Sequence, residues 1–228
     1  MEAYAATYGE TVLYSSARNE YAITRMSRIL TRTVLTLQKH LKQGSFQPDD
    51  YELSFRFAED LDSIHVDLSE DEKMHLQGRI DRIDVSEDAE HVYVKVIDYK
   101  SGNRKFDLAA LYYGLQLQLV VYMNAAMELE SRKHPDKEIV PAALLYYHID
   151  DPTIETPVEL TQEQINEEIL TKLRMNGVVN SDPAVVERLD RFLQDKSKVI
   201  PVEKKKDGSF SARSGILSRE ELQVVSSY

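Results

Sequence analysis

Two stretches of alternating residues, joined by a short polar run, constrain the fold of this chain more than any other feature. Residues 92–97 read Val-Tyr-Val-Lys-Val-Ile, and residues 76–85 form a comparable stretch before them. A period of two that is rich in β-branched and aromatic residues is typical of β-strands. The polar run between them, residues 86–91, is short enough for a hairpin loop. We therefore expect two antiparallel neighbouring strands.

Acidic side chains lie near the open end of this predicted hairpin. Asp98 and Lys100 follow the second stretch on one face of the strand, and Asp81 lies in the first stretch. If the hairpin is centred between Asp88 and Ala89, Asp81 is diagonal to Asp98, with roughly 7 Å between their Cα atoms. Two carboxylates supply the hard oxygen ligands that Mg²⁺ prefers. Bound Mg²⁺ polarises a phosphoryl oxygen and lowers the pKa of a bound water, so the pattern predicts a metal-dependent phosphodiesterase with Lys100 as a fixed positive charge.

A structural ion pair is the alternative interpretation of Asp98 and Lys100, because structural networks also gather charges. Asp98 continues the row of Val92, Val94 and Val96. An unpaired carboxylate at the end of such a buried row is costly, which favours the metal site. A register change of one residue would move Asp81 to the other face of the sheet and remove the site.

Three more polar residues are candidates for the same site. Glu52 lies in an alternating segment, residues 51–57. It is either a further acid near the metal or an ordinary strand-surface glutamate. Gln118 and Tyr122 are four residues apart in an apolar helix predicted from about residue 107 to 130, so they share one face. On periodicity alone they form a polar pair at the edge of a core helix.

The remaining pattern is that of an α/β chain. A long amphipathic helix is predicted from residue 19 to 41, and its basic face is either solvated or in contact with a DNA backbone. A strand buried on both faces follows at residues 141–149. Further along we expect a capped helix from Thr161 to about residue 175, a helix over residues 182–195, a hairpin at Asp207–Gly208 and a final helix from Ser218.

Composition narrows the function classes. The 228 residues, 42% of them hydrophobic, suffice for one large domain or one domain with an appended lobe. No apolar run approaches the roughly 20 residues of a membrane span, and the first residues lack a signal-peptide pattern, so we expect a cytoplasmic protein. The absence of cysteine excludes disulfides and iron-sulfur ligation within these residues. The formal net charge of −11 favours a DNA enzyme that receives its strand from a partner over one that coats DNA alone.

Three motifs occur together in this order: Gly-Arg-Ile-Asp-Arg-Ile-Asp at residues 78–84, Ile-Asp-Tyr-Lys-Ser-Gly at 97–102 and Gln-Leu-Val-Val-Tyr at 118–122. Together they resemble the RecB-type nuclease branch of the PD-(D/E)xK superfamily. With residues 13–18, 51–55 and 111–115, the chain is similar to the C-terminal nuclease region of the B subunits of AddAB-type ATP-dependent helicase-nucleases. The resemblance covers residues 13–148 well and the remainder weakly.

The resemblance implies a restriction-endonuclease-like α/β core with a central mixed sheet flanked by helices over residues 1–150. Residues 151–228 would be a helical and hairpin extension packed on that core. It also implies an exonuclease that cleaves DNA during the processing of double-strand breaks, with Mg²⁺ as cofactor and Mn²⁺ as a substitute. Its partners would be DNA and the A subunit of the helicase-nuclease. No association with a membrane is expected.

The family's functional residues carry over onto matching positions of this sequence. Asp81 and Asp98 would be metal ligands, and Lys100 would orient the attacking water or stabilise charge on the phosphate. Gln118 and Tyr122 match a pair that is expected to contact DNA or brace the catalytic strand. Arg82 and Asp84 would give structural support.

The chain departs from the family in two respects. Family members carry cysteines that hold an iron-sulfur cluster, and an upstream helix with a histidine that joins the metal site. This chain has no cysteine, so it does not bind such a cluster, and no segment matches the helix. A fragment of a longer protein explains both departures, and we expect such a fragment to bind metal more weakly. A noncatalytic nuclease-like scaffold, which guides DNA or holds the partner subunit, is the alternative function.

Overall fold

The computed structural model describes residues 16–54, 65–67, 73–75, 78–102, 106–107, 109–110, 118–156 and 159–226, with the backbone alone at 65–67, 73–75 and 223–226. These residues contain five helices and eight strands. The helices are α1 (Ala17–Gln43), α2 (Gln118–Lys133), α3 (Gln162–Lys172), α4 (Pro183–Leu189) and α5 (Arg219–Ser226). The strands are β1 (Gln47–Ser54), β2 (His65–Asp67), β3 (Lys73–His75), β4 (Arg79–Glu87), β5 (His91–Lys100), β6 (Glu138–His148), β7 (Asn176–Asn180) and β8 (Ile216–Leu217).

Six strands form one mixed sheet in the order β1-β4-β5-β6-β7-β8, and β2 and β3 form a separate pair. The β5–β6 and β7–β8 pairs are parallel, and the other pairs of the large sheet are antiparallel. A parallel pair needs a crossover, and α2 lies between β5 and β6 in the chain. The predicted α/β core with a central mixed sheet and flanking helices is confirmed.

The β4–β5 hairpin has the predicted faces but a different centre. Arg82 pairs with Ile97 and Glu87 pairs with Val92, so the centre lies one residue beyond the predicted point. Asp88 causes this difference, because its Oδ1 accepts hydrogen bonds from two following backbone amides, at 3.0 and 2.8 Å, and thereby fixes a tight turn. The pairing shifts by two residues. Because side chains alternate with a period of two, every residue keeps its predicted face.

The core of the sheet lies between β4, β5, β6 and α2. Ile83, Val94 and Val96 are fully buried on one sheet face and belong to the same cluster as Leu119 and Met123 of α2. The strand β6 is buried along almost its whole length, as its continuous apolar run predicts.

The strand β7 approaches β6 closely at Gly177, which has a φ of +144°. A Cβ atom there would lie 2.1 Å from the backbone oxygen of Leu144, so a residue with a side chain does not fit without displacing the strand. Glycine therefore sets the position of β7 in the sheet.

Backbone contacts divide the chain into two compact units, residues 1–40 with 149–173, and residues 41–148 with 174–228. The second unit contains the whole large sheet, so β7 and β8 pair with strands that precede the predicted boundary at residue 150. Within the first unit, Arg28 and Arg32 both bind Asp151. Thr161 and Gln164 form the predicted capping box of α3.

Several predicted elements have other bounds; the helix predicted to end at about residue 130, for example, extends to Lys133. The helix predicted over residues 182–195 ends at Leu189, because the buried Asp190 accepts hydrogen bonds from Ser197 Oγ at 2.7 Å and the amide of Phe192 at 3.1 Å, which turns the chain. α3 ends at Lys172 rather than near residue 175. The predicted strand at 51–57 corresponds to β1 as far as Ser54. Predictions at residues 13–15, 55–57, 76–77, 108 and 111–117 lie outside the described residues. Among the described helices, none combines the length and apolar composition needed to cross a bilayer.

Candidate active site

Asp98 and Lys100 lie at the C-terminal end of β5, on the sheet face that continues the row of Val94 and Val96. Lys100 Nζ is 2.6 Å from Asp98 Oδ2. Asp98 is only 2% exposed, and this burial raises its pKa above the ordinary value. Lys100 partly offsets that rise, and the charge of Asp81 adds to it. The carboxylate therefore needs nearby positive charge to remain ionised.

A line of polar contacts holds the Lys100 ammonium. Nζ donates a hydrogen bond to Gln118 Oε1 at 3.0 Å, and Gln118 Nε2 donates to the hydroxyl of Tyr122 at 2.8 Å. Nζ also lies 5.2 Å from the centre of the buried Tyr146 ring, within cation–π range. Of the two helix residues predicted from their four-residue spacing, Gln118 thus contacts Lys100 and Tyr122 contacts Gln118, while their catalytic role stays a prediction.

Tyr146 was not predicted from the sequence. It lies in the continuous apolar run of β6, where nothing in the local pattern distinguishes it from core tyrosines. The parallel register of β5 and β6 pairs it with Asp98. A sequence signal for that register is absent, because about forty residues separate the two strands in the chain.

Asp81 lies on β4 beside the same strand end. Its Oδ2 accepts a hydrogen bond from the backbone amide of Tyr99 at 2.8 Å. Arg82 pairs with Ile97, and continuing this register by one residue puts Asp81 opposite Asp98. Opposite residues of antiparallel strands have Cα atoms roughly 4.5–5.5 Å apart, closer than the predicted diagonal of roughly 7 Å. The recorded pairing begins at Arg82 and Ile97, and its continuation puts both acids on one face, where the charge of Asp81 acts on Asp98.

The side chains present fit a divalent cation. Asp98 Oδ2 is buried, and it makes no well-directed hydrogen bond to any residue that the structure describes, despite its short distance to Lys100. Asp81 adds a second carboxylate next to it. Mg²⁺ is commonly bound through one or two carboxylates, with waters and substrate phosphates completing the octahedron. Two carboxylates, one of them buried and close to a single ammonium group at Lys100, are a donor set of this kind.

Glu52 lies in β1 at the level of Asp81, because Tyr51 pairs with Arg82 and Leu53 with Ile80. Its Oε2 is 2.8 Å from Arg79 Nε in an ion pair whose two side chains are each 62% exposed. Its φ is +53°, in the left-handed region that non-glycine residues rarely adopt. The predicted choice between a further acid of the site and a strand-surface glutamate therefore stays open.

A second group of acids was not predicted. Asp49, Asp50 and Glu130 have ligand atoms within 4.8 Å of one another, close enough to share a metal ion. Lys133 Nζ lies among them, at 2.5, 3.1 and 2.8 Å from their oxygens. Burial opposes the charge of Lys133, yet these contacts raise its pKa above the ordinary value. Lys133 pairs with all three acids of this cluster, just as Lys100 pairs with Asp98, so a neighbouring ammonium group does not by itself distinguish the two groups of acids.

The opposite face of the hairpin carries a buried ion network. Arg82 donates to both oxygens of Asp84, at 2.5 and 2.8 Å, and Lys95 Nζ is 2.8 Å from Asp84 Oδ2. Asp84 is 0% exposed, and Lys95 lies over the buried ring of Phe46. Burial lowers the pKa of Lys95, and Asp84 partly offsets this shift. The predicted supporting residues thus lie behind the candidate active site.

Comparison with known proteins gives the family of the chain. The PD-(D/E)XK nuclease superfamily matches residues 2–215. Proteins named as the B subunit of an ATP-dependent helicase/deoxyribonuclease are similar along nearly the whole chain. The protein of Lachnoclostridium phytofermentans is 45% identical over 97% of this chain, that of Clostridium acetobutylicum 42% over 95%, and that of Thermoanaerobacter sp. 36% over 95%. In each case the chain spans 19% of the relative's length. The chain belongs to the PD-(D/E)XK nuclease superfamily.

Proposed function

We propose that the chain is a DNA nuclease domain of an ATP-dependent helicase-nuclease that processes double-strand breaks. The observation that carries the proposal is the meeting of Asp98, Lys100 and Gln118 at the end of a buried strand, with Asp81 beside them. Membership of a nuclease superfamily and the name of the similar proteins support it. The proposed reaction is hydrolysis of phosphodiester bonds by an exonuclease.

Each residue of the cluster has a proposed role. Asp81 and Asp98 hold a divalent cation, Mg²⁺ with Mn²⁺ as substitute. When bound, this cation supplies Lewis-acid activation of the phosphate and of water. Lys100 presents its ammonium next to the scissile phosphate, where it orients the attacking water and stabilises the charge that develops. Gln118 fixes the position of that ammonium, and Tyr122 fixes Gln118, so that the charge is already in place before the substrate arrives.

The proposed partners are DNA and the A subunit of the same helicase-nuclease assembly. The chain spans about a fifth of the relatives it matches, so helicase action belongs to the proposed assembly and not to these residues. The net charge of −11 supports delivery of the strand by a partner, since nonspecific DNA affinity comes from lysine and arginine. A chromosomal substrate implies action in the cytoplasm.

The test is DNA cleavage by the protein assembled with its partner. Asp98→Ala should abolish cleavage, while folding and partner binding remain. Asp136→Ala is the matched control, because Asp136 is an exposed acid in the turn between α2 and β6. Unchanged cleavage of both strands by Asp98→Ala would refute the assignment.

Titration with Mn²⁺ separates the nuclease from the alternative scaffold. A nuclease site should bind Mn²⁺ in the wild type and lose this binding in Asp81→Asn and Asp98→Asn. A scaffold that only guides DNA or holds the partner should show no binding that depends on these two acids.

A further inference from the structure

A strongly basic loop leaves the sheet beside the candidate active site. Residues 196–213, here called the basic loop, contain six basic and two acidic residues, a net charge of +4 in a chain of −11. Its centre is the run Lys204-Lys205-Lys206. No ion pair or side-chain hydrogen bond joins these three lysines to any residue that the structure describes. Lys205 and Lys206 are exposed and Lys204 is half-buried. Positive charge is therefore concentrated here and open to a partner.

Backbone hydrogen bonds hold this loop in one shape. Lys204 pairs with Phe210 across a bridge, and Lys205 N donates to Ser209 O at 2.7 Å. The turn closes through Gly208, whose φ of +83° suits glycine and whose amide donates to Lys205 O at 2.9 Å. The three lysines thus stand on an ordered turn, so little backbone entropy is lost when they meet a partner.

The two acids of the loop do not cancel its charge. Asp207 accepts hydrogen bonds from Ser209 N and Oγ, at 2.9 and 2.6 Å, and these bonds lower its pKa below the ordinary value. Glu203 is half-buried. Together they compensate two of the six positive charges, and the chain's large excess of acids lies elsewhere.

Strand register puts the first part of the basic loop next to the row of residues that contains Asp98. Asp98 pairs with Tyr146 of β6, and Tyr146 pairs with Asn176 of β7, so the three form one row across neighbouring strands. Two strand spacings separate Asp98 from Asn176, or about 10 Å. The loop is attached at this row, because the amide of Met175 donates to Val199 O at 3.0 Å.

A second attachment fixes the other end of the loop. Gly215 N donates to Pro201 O at 2.8 Å, and Val179 N donates to Gly215 O at 2.9 Å. A Cβ atom at Gly215 would lie 2.2 Å from the backbone oxygen of Gly177, so the chain passes directly against β7. Both ends of the lysine-bearing segment therefore start from the side of the sheet where β5 ends in Asp98 and Lys100.

We propose that the basic loop binds the phosphodiester backbone of the DNA strand that is cut at the candidate active site. The inference rests on the proposed function. Charges along one DNA strand are roughly 3.4 Å apart in a duplex. A few nucleotides therefore cover the distance from the row at Asp98 to the loop. Three lysines on an ordered turn match the charge of such a strand and read no base sequence.

The test is the salt dependence of DNA binding by the full chain. A fluorescent single-stranded oligonucleotide is titrated in EDTA, which prevents cleavage, at KCl concentrations between about 50 and 200 mM. Each phosphate contact contributes about 0.7 to the slope of log affinity against log salt for single strands. Substitution of all three lysines, K204Q/K205Q/K206Q, should lower the slope by about 2. The ratio of wild-type affinity to variant affinity should then fall about 16-fold between about 50 and 200 mM KCl.

Two controls define the result. K204R/K205R/K206R keeps the charge and should keep the slope, whereas Arg132→Gln removes an exposed charge near the C-terminal end of α2 and should change nothing. An unchanged slope in the glutamine variant, or no measurable binding by the wild type at low salt, overturns the inference. Cleavage in the presence of Mg²⁺ is measured separately. If the glutamine variant cleaves saturating DNA but has an unchanged slope, DNA binding by the basic loop is refuted and the proposed nuclease function stands.

Discussion

The substitution Asp98→Asn should abolish the stabilisation of this protein by metal without lowering its stability in the absence of metal. Asp98 is almost completely buried, and burial raises the pKa of its carboxyl group. An ionised Asp98 therefore lowers the free energy of unfolding of the metal-free protein. An asparagine side chain has the same shape and no charge, and Lys100 keeps its contacts with Gln118 and Tyr146. We expect the metal-free variant to be at least as stable as the wild type.

The magnitude of the metal response follows from linkage. A ligand at a hundred times its dissociation constant stabilises a folded protein by about 2.7 kcal/mol. In a chain of this size, 1 kcal/mol moves the melting temperature by about 2–4 °C. Mn²⁺ at that saturation should therefore raise the melting temperature of the wild type by about 5–11 °C, and should leave that of Asp98→Asn unchanged.

The assay is thermal unfolding in EDTA and in Mn²⁺, with a double variant of the other acidic cluster as control. Asp49→Asn with Asp50→Asn removes two acids that contact Lys133, but leaves the Asp98 site untouched. It should keep the full shift with Mn²⁺, whatever its own metal-free stability. A full shift in Asp98→Asn would refute the reasoning. Loss of the shift in the control would assign the metal to the cluster around Lys133.

The remaining predictions concern the buried ion network of the β4–β5 hairpin and the contact between Gln118 and Lys100. Asp84→Ala leaves Arg82 buried without its partner and should lower the free energy of unfolding by about 3–5 kcal/mol in denaturant titrations, whereas Lys95→Met should change it by less than about 1.5 kcal/mol. Because burial lowers the pKa of Lys95 from 10.5, the unfolded chain binds the extra proton between the two values. Wild-type stability should therefore rise with pH in that window, and Lys95→Met should abolish the rise. Gln118→Ala should reduce the cleavage rate by about 10²-fold with little change in KM, since Lys100 loses its positioning contact; Gln118→Glu, which restores an acceptor, should recover part of it.

Local spacing explains why much of the candidate site was predictable. Asp98 and Lys100 share a face through the period of a strand, and Gln118 and Tyr122 through the period of a helix. Tyr146 was missed because its approach to Lys100 depends on the pairing of two strands far apart in the chain. The cluster of acids around Lys133 was missed for a related reason. It combines a β-bulge in β1, at the register shift between Pro48 and Asp50, with a helix that begins only at Gln118.

The ion network behind the hairpin also bears on how the site is assembled. A slip of one residue between β4 and β5 is rejected because it would bring the valine row of β5 to the face of β4 that carries Arg82 and Asp84, and would leave these buried charges against apolar side chains. Apolar burial discriminates poorly against a slip of two residues, since Val92, Val94 and Val96 repeat with that period. Asp84 and Lys95 are direct cross-strand partners, and any slip leaves Lys95 without its carboxylate. A buried charge without a partner costs several kcal/mol, which is enough to select one register.

Continued by one residue beyond Arg82 and Ile97, that register puts Asp81 opposite Asp98. The network on one face of the hairpin therefore favours the alignment of the two carboxylates on the other, although none of its side chains lies on their face. Asp84→Ala tests this link as well as stability. If its folded state is recovered at low temperature, its melting-temperature shift with Mn²⁺ should fall below the 5–11 °C expected for the wild type, which corresponds to about 2.7 kcal/mol. A full shift in that variant would mean that the valine row and the Asp88 turn suffice to set the register.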